Sequence, residues 1–366
     1  MEDPAAARLA RIERRVGVPG LADRLAELPA PDLQALLLEL DRRRVARRSP
    51  AALLARYAED RTVVPATTDA RALHAIEAAA LAAAAEFDAV ELAPVAPLGL
   101  NHVLGDVDVR NVLATVRGSE VVADSTTVHA LEAARRRRAG AALVRLCSAH
   151  RVLRLQPFAP PSMQHFRLFA LSSAGRETPH HRFHLDALEA HLRAHLGFLT
   201  GLGREGRRIA AIRVQVADGG ALAALVAEAG ATLDAVLAAT RAQPDRPPEE
   251  LLASFGVRPP APDLGDASPR LLRGPLRRLL AVRDDVLPAL VDAFPGVELG
   301  LDLTRVQAAG YYSGLMVDIS ASGPFGAISL ADGGSTPWVG RLLSDRREAM
   351  FVTGLGMDRV AGLLEA

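Results

Sequence analysis

The chain has 366 residues, 49% of them hydrophobic, and its 43 basic and 43 acidic side chains cancel to a formal net charge of zero. That length suits about two domains of roughly 150 residues, and balanced charge argues against a general nucleic-acid binder, whose affinity rests on excess cations. The single Cys147 excludes a disulfide framework or a multi-cysteine metal site, and with no lysine anywhere the chain lacks the amine of a P-loop, a kinase strand or a Schiff base.

The opening MEDPAAARLARIERR is charged from its second residue and has no signal-peptide apolar core, and no apolar run reaches the length of a membrane span. The expectation is a soluble, cytoplasmic protein. Residues 1–65 read as a helical extension, with apolar spacing at Leu33, Leu36, Leu37 and Leu40 and a cap at Ser49-Pro50. A helix rich in Ala and Leu follows over Asp69–Glu86, then a strand over Ala89–Leu92 that stops at Pro94. Residues 120–123 read as a short strand, and a helix from Thr126 or Thr127 runs into Arg135, Arg136, Arg137 and Arg138.

Strand-like runs at 142–155 and 164–172 flank the Pro-rich residues 157–161 and predict a hairpin with a long loop. A helix over 183–200 and a strand over 209–216 come next. Residues 219–297 are helical again, interrupted by a Pro-rich stretch at 243–262, and read as an insertion. Strands at 312–320, 325–331 and 350–356 and a closing helix from Asp358 complete the chain. Helices at the front and antiparallel hairpins behind predict an α+β fold, with 66–218 and 298–366 as the two parts of its core.

Several motifs bear on chemistry. Gly201 to Gly206 is a literal GxGxxG, but it follows a helix and opens a strand, the reverse of the dinucleotide fingerprint, so it reads as a helix-stop loop. His184, His191 and His195 can share one helix face; with no acidic or cysteine ligand at a recognised spacing, they read as a polar face and not as a metal site. The four arginines 135–138 sit at a helix C-terminus, where the dipole and solvent favour cations. Tyr311, Tyr312 and Trp338 lie near Gly333-Gly334, a combination that suits a small-molecule pocket. In Gly354-Leu355-Gly356-Met357-Asp358-Arg359, alternating glycines let a flat ligand lie on a strand, and an arginine opens the next helix.

In this order the elements resemble the catalytic core of class II aminoacyl-tRNA synthetases, in particular histidyl-tRNA synthetase and its paralogue, the regulatory subunit of ATP phosphoribosyltransferase. Gly354 to Arg359 is similar to motif 3, with Asp358 for its glutamate. Leu153-Arg154-Leu155-Gln156 is similar to motif 2, with Gln156 for its acid, and His150-Arg151 is the alternative register. Phe166 falls where the family stacks a phenylalanine on adenine. The Ala/Leu helix and the strand ending at Pro94 resemble motif 1, which implies a homodimer. The resemblance implies an antiparallel sheet flanked by helices, and a site for ATP and Mg²⁺ lined by Arg154, Gln156, Phe166, Gly356, Asp358 and Arg359. Arg154 and Arg359 would act on the phosphates, and no metal ligands of the protein's own are implied.

Departures from the family are equally specific. Gln307 stands at the position of the activating arginine, ahead of Tyr311 and Tyr312. The residues that hold the amino group fall near Ser125, Thr126 and Thr127, without the glutamate. Those that read the imidazole fall at Leu168 and Ser172, and a further substrate stretch has become Gly333, Gly334 through Trp338. Losing such partners costs roughly 10⁴–10⁵ in discrimination, so histidine selection is not expected. The chain closes right after motif 3, without an anticodon-binding domain, so no complete tRNA synthetase is expected and tRNA is not an expected partner. Two functions follow from the resemblance. One is ATP-dependent adenylation of a small carboxylate or another amino acid, with transfer to a small molecule, carrier or partner protein. The alternative is a catalytically retired core serving as a regulatory or ligand-binding subunit of a partner enzyme. A third reading, RNA binding through Arg42 to Arg48, ranks behind both.

Overall fold

The computed structural model describes residues 4–156, 163–202, 209–323 and 326–365. The N-terminal extension forms four helices, α1 (Pro4–Val16), α2 (Leu21–Ala26), α3 (Ala30–Val45) and α4 (Pro50–Glu59). As expected, Ser49 caps α4 by accepting from the Ala52 N–H. None of α2, α3 and α4 contains a buried residue, so these helices contribute little to the core.

Helix α5 (Ala70–Ala83) is capped by the Asp69 carboxylate, which accepts from the Arg71 and Ala72 N–H groups. The strand expected over 89–92 is shorter. Only β1 (Asp88–Ala89) pairs, and the chain then turns away toward Pro94. A separate two-stranded ribbon joins β2 (Val95–Pro97) to β3 (Ser119–Val121), with α6 (Leu100–Gly105) between them. Helix α7 (Ser125–Arg138) starts at an Asp124 cap. The predicted hairpin is present as β4 (Leu143–Leu153) and β5 (His165–Arg176), and its Pro-rich tip lies outside the described residues.

Helix α8 (Arg182–Gly201) leads to β6 (Arg213–Asp218), which begins four residues later than the hydropathy pattern suggests. The next segment carries α9 (Gly219–Glu228), α10 (Leu233–Ala242), α11 (Pro248–Ser254), α12 (Pro269–Arg273), α13 (Arg277–Ala281) and α14 (Leu287–Ala293). Asp218 caps α9 and is also held by Arg278, at 2.6 and 2.8 Å, which ties this segment to the sheet. A strand not foreseen in the sequence, β7 (Glu298–Leu301), pairs parallel with β6. The rest comprises β8 (Leu315–Gly323), β9 (Gly326–Thr336), the unforeseen α15 (Trp338–Leu343), β10 (Glu348–Gly356) and α16 (Met357–Glu365).

Eight strands form one sheet in the order β1-β4-β5-β10-β9-β8-β6-β7, antiparallel except for the pairs at its two edges. Side chains alternate between its faces. The back face carries Phe169, Leu171, Val317, Phe351 and Leu355 against α5, α8 and α16. The front face carries Leu146, Val152, Leu168, Met316 and Val352 beneath α7, α9 and α15. Among the described residues, no single helix is long and apolar enough to cross a membrane.

Candidate functional site

The front face has a cationic end and an aromatic end. At the first, Gly354 and Gly356 point their missing side chains to the front, and Gly356 pairs with Leu168 of β5. Arg359, in the first turn of α16, folds its stem over this bare backbone. A Cβ on Gly356 would lie 3.5 Å from Arg359 Cδ, and Arg359 Nη1 donates to the Ser329 carbonyl at 2.6 Å. Phe166 is the next front-facing residue along β5. Arg154 lies just beyond β4 and donates from Nε to the Ala123 carbonyl at 2.8 Å. Its guanidinium carbon is 5.3 Å from the Phe166 ring centroid, a cation–π distance, and Asp124 Oδ2 is 3.5 Å from Nη2. Two cations and a ring thus share one face. The alternative register does not: His150 faces the front, but Arg151 faces the back.

The other residues expected near ATP are engaged differently. Asp358 accepts from Thr68 Oγ1 at 2.9 Å and from the Arg167 backbone N–H at 2.6 Å, so its carboxylate ties the chain before α5 to β5. Gln156 is half-buried at the end of the described hairpin arm.

At the aromatic end, Gly310 adopts a left-handed conformation (φ 95°) and turns the chain so that both tyrosines enter the fold. Tyr311 stands edge-on to Tyr312 and to Trp338, with centroids 5.0 and 5.8 Å apart. The Tyr312 ring lies on Gly334, where a Cβ would come within 2.7 Å of Cγ. Gly333 and Gly334, expected in a substrate-binding stretch, are strand residues. They lie inside β9, which runs five residues past its expected end, and Gly333 packs on Val352 and Thr353. Burial pushes both tyrosine hydroxyls above their usual pKa.

Polar groups at this end bond within the chain. Ser172 Oγ lies 3.0 Å from His129 Nδ1, and Ser148 Oγ lies 2.9 Å from Nε2 of the same ring. Desolvation pulls the pKa of His129 down to about 3, so the ring is neutral. Thr127 donates to the Asp124 carbonyl at 2.8 Å. Ser125 is buried, its hydroxyl without a partner among the described residues. Leu168 packs against Gly354. Gln307 is exposed and turned from the face.

Sequence reasoning missed three front-face residues. Arg305, two positions before Gln307, is 7% exposed and donates from Nη2 to Asp332 Oδ1 at 2.8 Å; among the described residues its buried Nη1 has no hydrogen-bond partner. Burial raises the Asp332 pKa against the opposing pull of Arg305. Asp124, immediately before Ser125, places an acid where one was thought lost. The signal was available in all three cases as a charged residue one or two positions from an expected one: Gln307, Gly333 and Ser125.

The histidines correct another expectation. His191 and His195 do not form an exposed polar face: both are fully buried against the back of the sheet and converge on Thr353 Oγ1 at 2.9 and 2.7 Å. His184 bonds Ser335 Oγ at 3.1 Å. Among the described residues, no group of three or more His, Cys, Asp or Glu side chains could hold a metal ion. Arg135 and Arg136 pair with Glu132, Arg136 also with Asp88, and Arg137 with Glu348, so much of the arginine run is neutralised. Gly203 to Gly206 of the GxGxxG stretch lie outside the described residues.

No protein-family model matches the sequence, and no curated protein does. Solved structures do match. An ATP phosphoribosyltransferase regulatory subunit/histidyl-tRNA synthetase from Bacillus halodurans superimposes with a TM-score of 0.57 at 15% identity, over 81% of this chain and 80% of that one. A histidine–tRNA ligase subunit from Alicyclobacillus acidocaldarius gives 0.55 at 19% identity, over 82% and 96%. Histidyl-tRNA synthetase from Nostoc gives 0.56 at 14% identity, over 82% and 73%. At such identities the likeness speaks to architecture alone. The front-face sheet with its flanking helices is the fold of the class II aminoacyl-tRNA synthetase catalytic core, in the form seen in histidyl-tRNA synthetases and the ATP phosphoribosyltransferase regulatory subunit.

Proposed function

We propose that this chain is a synthetase-derived core that retains a nucleotide site at Arg154, Phe166 and Arg359 but no longer activates an amino acid, and that it acts as a ligand-binding regulatory subunit of a partner enzyme. The closed aromatic end carries this reading. Tyr311, Tyr312 and Trp338 pack on one another, and Ser172, expected to read a substrate, is held by His129. A substrate would have to displace buried rings and strand a buried imidazole without its partner, at a cost of about 1–3 kcal/mol for each unsatisfied group. A regulatory-subunit role is named for one of the structures that share this fold.

The cationic end suits ATP on its own chemistry. Guanidinium forks match phosphate oxygens, and with only Leu168 and the Arg359 stem over Gly354 and Gly356 a flat ring could enter beside Phe166 if the exposed Arg359 side chain swung aside. Mg²⁺ carried by the nucleotide neutralises phosphate charge.

One observation favours a second reading, adenylation of a carboxylate other than histidine. The buried Arg305, with Nη1 unpartnered among the described residues, offers a cation near the position that Gln307 vacates. In that reading Arg305 and Arg154 would stabilise charge developing on the α-phosphate.

ATP–pyrophosphate exchange with Mg²⁺, run over pooled amino acids and small carboxylates, separates the two. We expect no exchange with any pool, together with an ATP-induced rise in melting temperature that Arg154→Gln and Arg359→Gln each abolish. Exchange with one pool would establish the second reading and name the substrate class. Absence of both exchange and ATP binding would remove the nucleotide site altogether. A homodimer belongs to the same proposal: Val95, Leu98, Val103 and Val109 are 41–60% exposed around the ribbon, an apolar surface that a second copy would cover. Light scattering should give twice the monomer mass of 38.7 kDa.

A further inference from the structure

The back of the sheet carries a cleft that includes neither Arg154 nor Arg359 in its lining. It has a volume of about 790 Å³ and lies between the chain at 62–68, the first turns of α5 and the outer ends of β4 and β5. That volume falls in the range of small-molecule sites, about 300–1,000 Å³. Its walls differ in chemistry. Val63, Val64, Pro65 and Leu73 make one apolar, whereas the other presents Arg151 and Arg167, with His74, Glu77 and His165 beside them.

Those two arginines are directly opposite each other in the β4–β5 register, on the same face. Like charges so placed destabilise a sheet unless something between them neutralises the charge. The protein supplies only part of that. Glu77 Oε2 lies 3.7 Å from Arg167 Nε, too long for a good hydrogen bond, and Nε has no hydrogen-bond partner among the described residues. Arg167 Nη1 donates to the Ala149 carbonyl at 3.2 Å. Among the described residues, no carboxylate comes within 4.0 Å of Arg151. Its Nη1 lies 2.9 Å from His165 Nδ1. His165 Nε2 is 2.7 Å from the Val64 carbonyl and donates to it, which leaves Nδ1 as the acceptor for Arg151. Asp358, the other nearby acid, is engaged by Thr68 and the Arg167 N–H and does not line the cleft.

We infer that this cleft is a binding site for a small organic anion, a carboxylate or phosphate head on an apolar body. The head would lie across Arg151 and Arg167, and the body against Val63, Val64 and Leu73. The ligand provides the missing charge, and a guanidinium pair a few ångströms apart matches the spread of its oxygens. Because His165 joins Arg151 to the chain at Val64, occupancy would also fasten the segment linking the N-terminal helices to α5. The site stands on the other face from Arg154 and Arg359 and does not rest on the nucleotide reading.

Calorimetric titration of the full chain with phenyl phosphate and with benzoate tests it, inorganic phosphate and phenol serving as the separated head and body. We expect saturable binding of at least one of the joined probes, the tighter of the two naming the head group, and weak binding of either half. Arg151→Gln should weaken that binding about tenfold or more, while Arg154→Gln and Arg359→Gln leave it unchanged. Glu77→Gln, which frees Arg167, should tighten it, and this keeps the test decisive if Arg151→Gln folds poorly. No saturation at millimolar concentrations would overturn the inference. So would binding that Arg154→Gln abolishes and Arg151→Gln does not, because the probe would then be in the front-face site.

Discussion

The two ends of the front face dispose their side chains in opposite directions. At the cationic end the side chains reach outward or along the surface: Arg359 is exposed, and Arg154 stacks on Phe166 with nearly a third of its side chain in solvent. At the aromatic end everything turns inward. Trp338 is 1% exposed, Tyr312 9%, and His129 is fully enclosed with both ring nitrogens bonded. In the proposed reading, a phosphate-binding surface needs little more than two arginines beside a strand, because its ligand brings most of the charge. A side-chain pocket, by contrast, has to remain empty, and filling it is favourable because it buries apolar area.

The largest effect that could break this contrast comes from pH. His129, His191 and His195 are buried as neutral rings; desolvation brings His129 and His195 down to about 3 and pushes His191 well below its ordinary value of 6.5. A depressed folded-state pKa means the unfolded chain binds the proton first. The stability is therefore complete above about pH 6.5 and is lost as pH falls toward 3, by about 1.4 kcal/mol per pH unit for each ring. Urea unfolding at pH 7.0 and 5.5 should show a fall of several kcal/mol. Equal stabilities would mean that the rings are not buried as neutral species. Arginines do not titrate in this range, so any change in ATP binding by the folded protein over it should follow the terminal phosphate of ATP itself, whose second proton titrates at about pH 6.

Glycine substitutions sharpen the same contrast. A Cβ on Gly334 would lie 2.5 Å from the Leu315 carbonyl and 2.7 Å from the Tyr312 ring, whereas one on Gly356 meets nothing closer than 3.5 Å. Gly334→Ala should cost about 3 kcal/mol in chemical unfolding. Gly356→Ala should be close to neutral for stability yet weaken ATP binding by filling the bare strand. Comparable losses for the two variants would show that the ends are equally packed. The smallest effect belongs to Ser172→Ala, which removes one of the two partners of His129. We expect about 1 kcal/mol of destabilisation and unchanged ATP affinity; a drop in affinity would place Ser172 in the nucleotide site.

Much of the architecture was legible in the sequence because it follows local rules. The α7 and α8 helices, the β4–β5 hairpin and β10 fall within a few residues of their expected bounds, where apolar period and capping residues coincide. The misses have a different origin. β7 is only four residues long and is a strand by virtue of pairing with β6. β1 shrinks because β4 offers it a partner over only two residues.

The site divides the same way. Composition alone determined that a phosphate held by a side-chain amine or guanidinium here must be held by arginine. The grouping of Arg154, Phe166 and Arg359, and the loss of the residues for histidine recognition, were implied by the resemblance to the synthetase motifs. Only the tertiary structure decided that Arg305 points inward while Gln307 points out, that Ser172 belongs to His129, that His191 and His195 are core residues, and that Arg151 and Arg167 share a back-face cleft. Spacing fixes which face of its own strand or helix a side chain occupies. What that face meets depends on contacts between residues far apart in the chain, and those contacts decide which polar groups are left for a ligand.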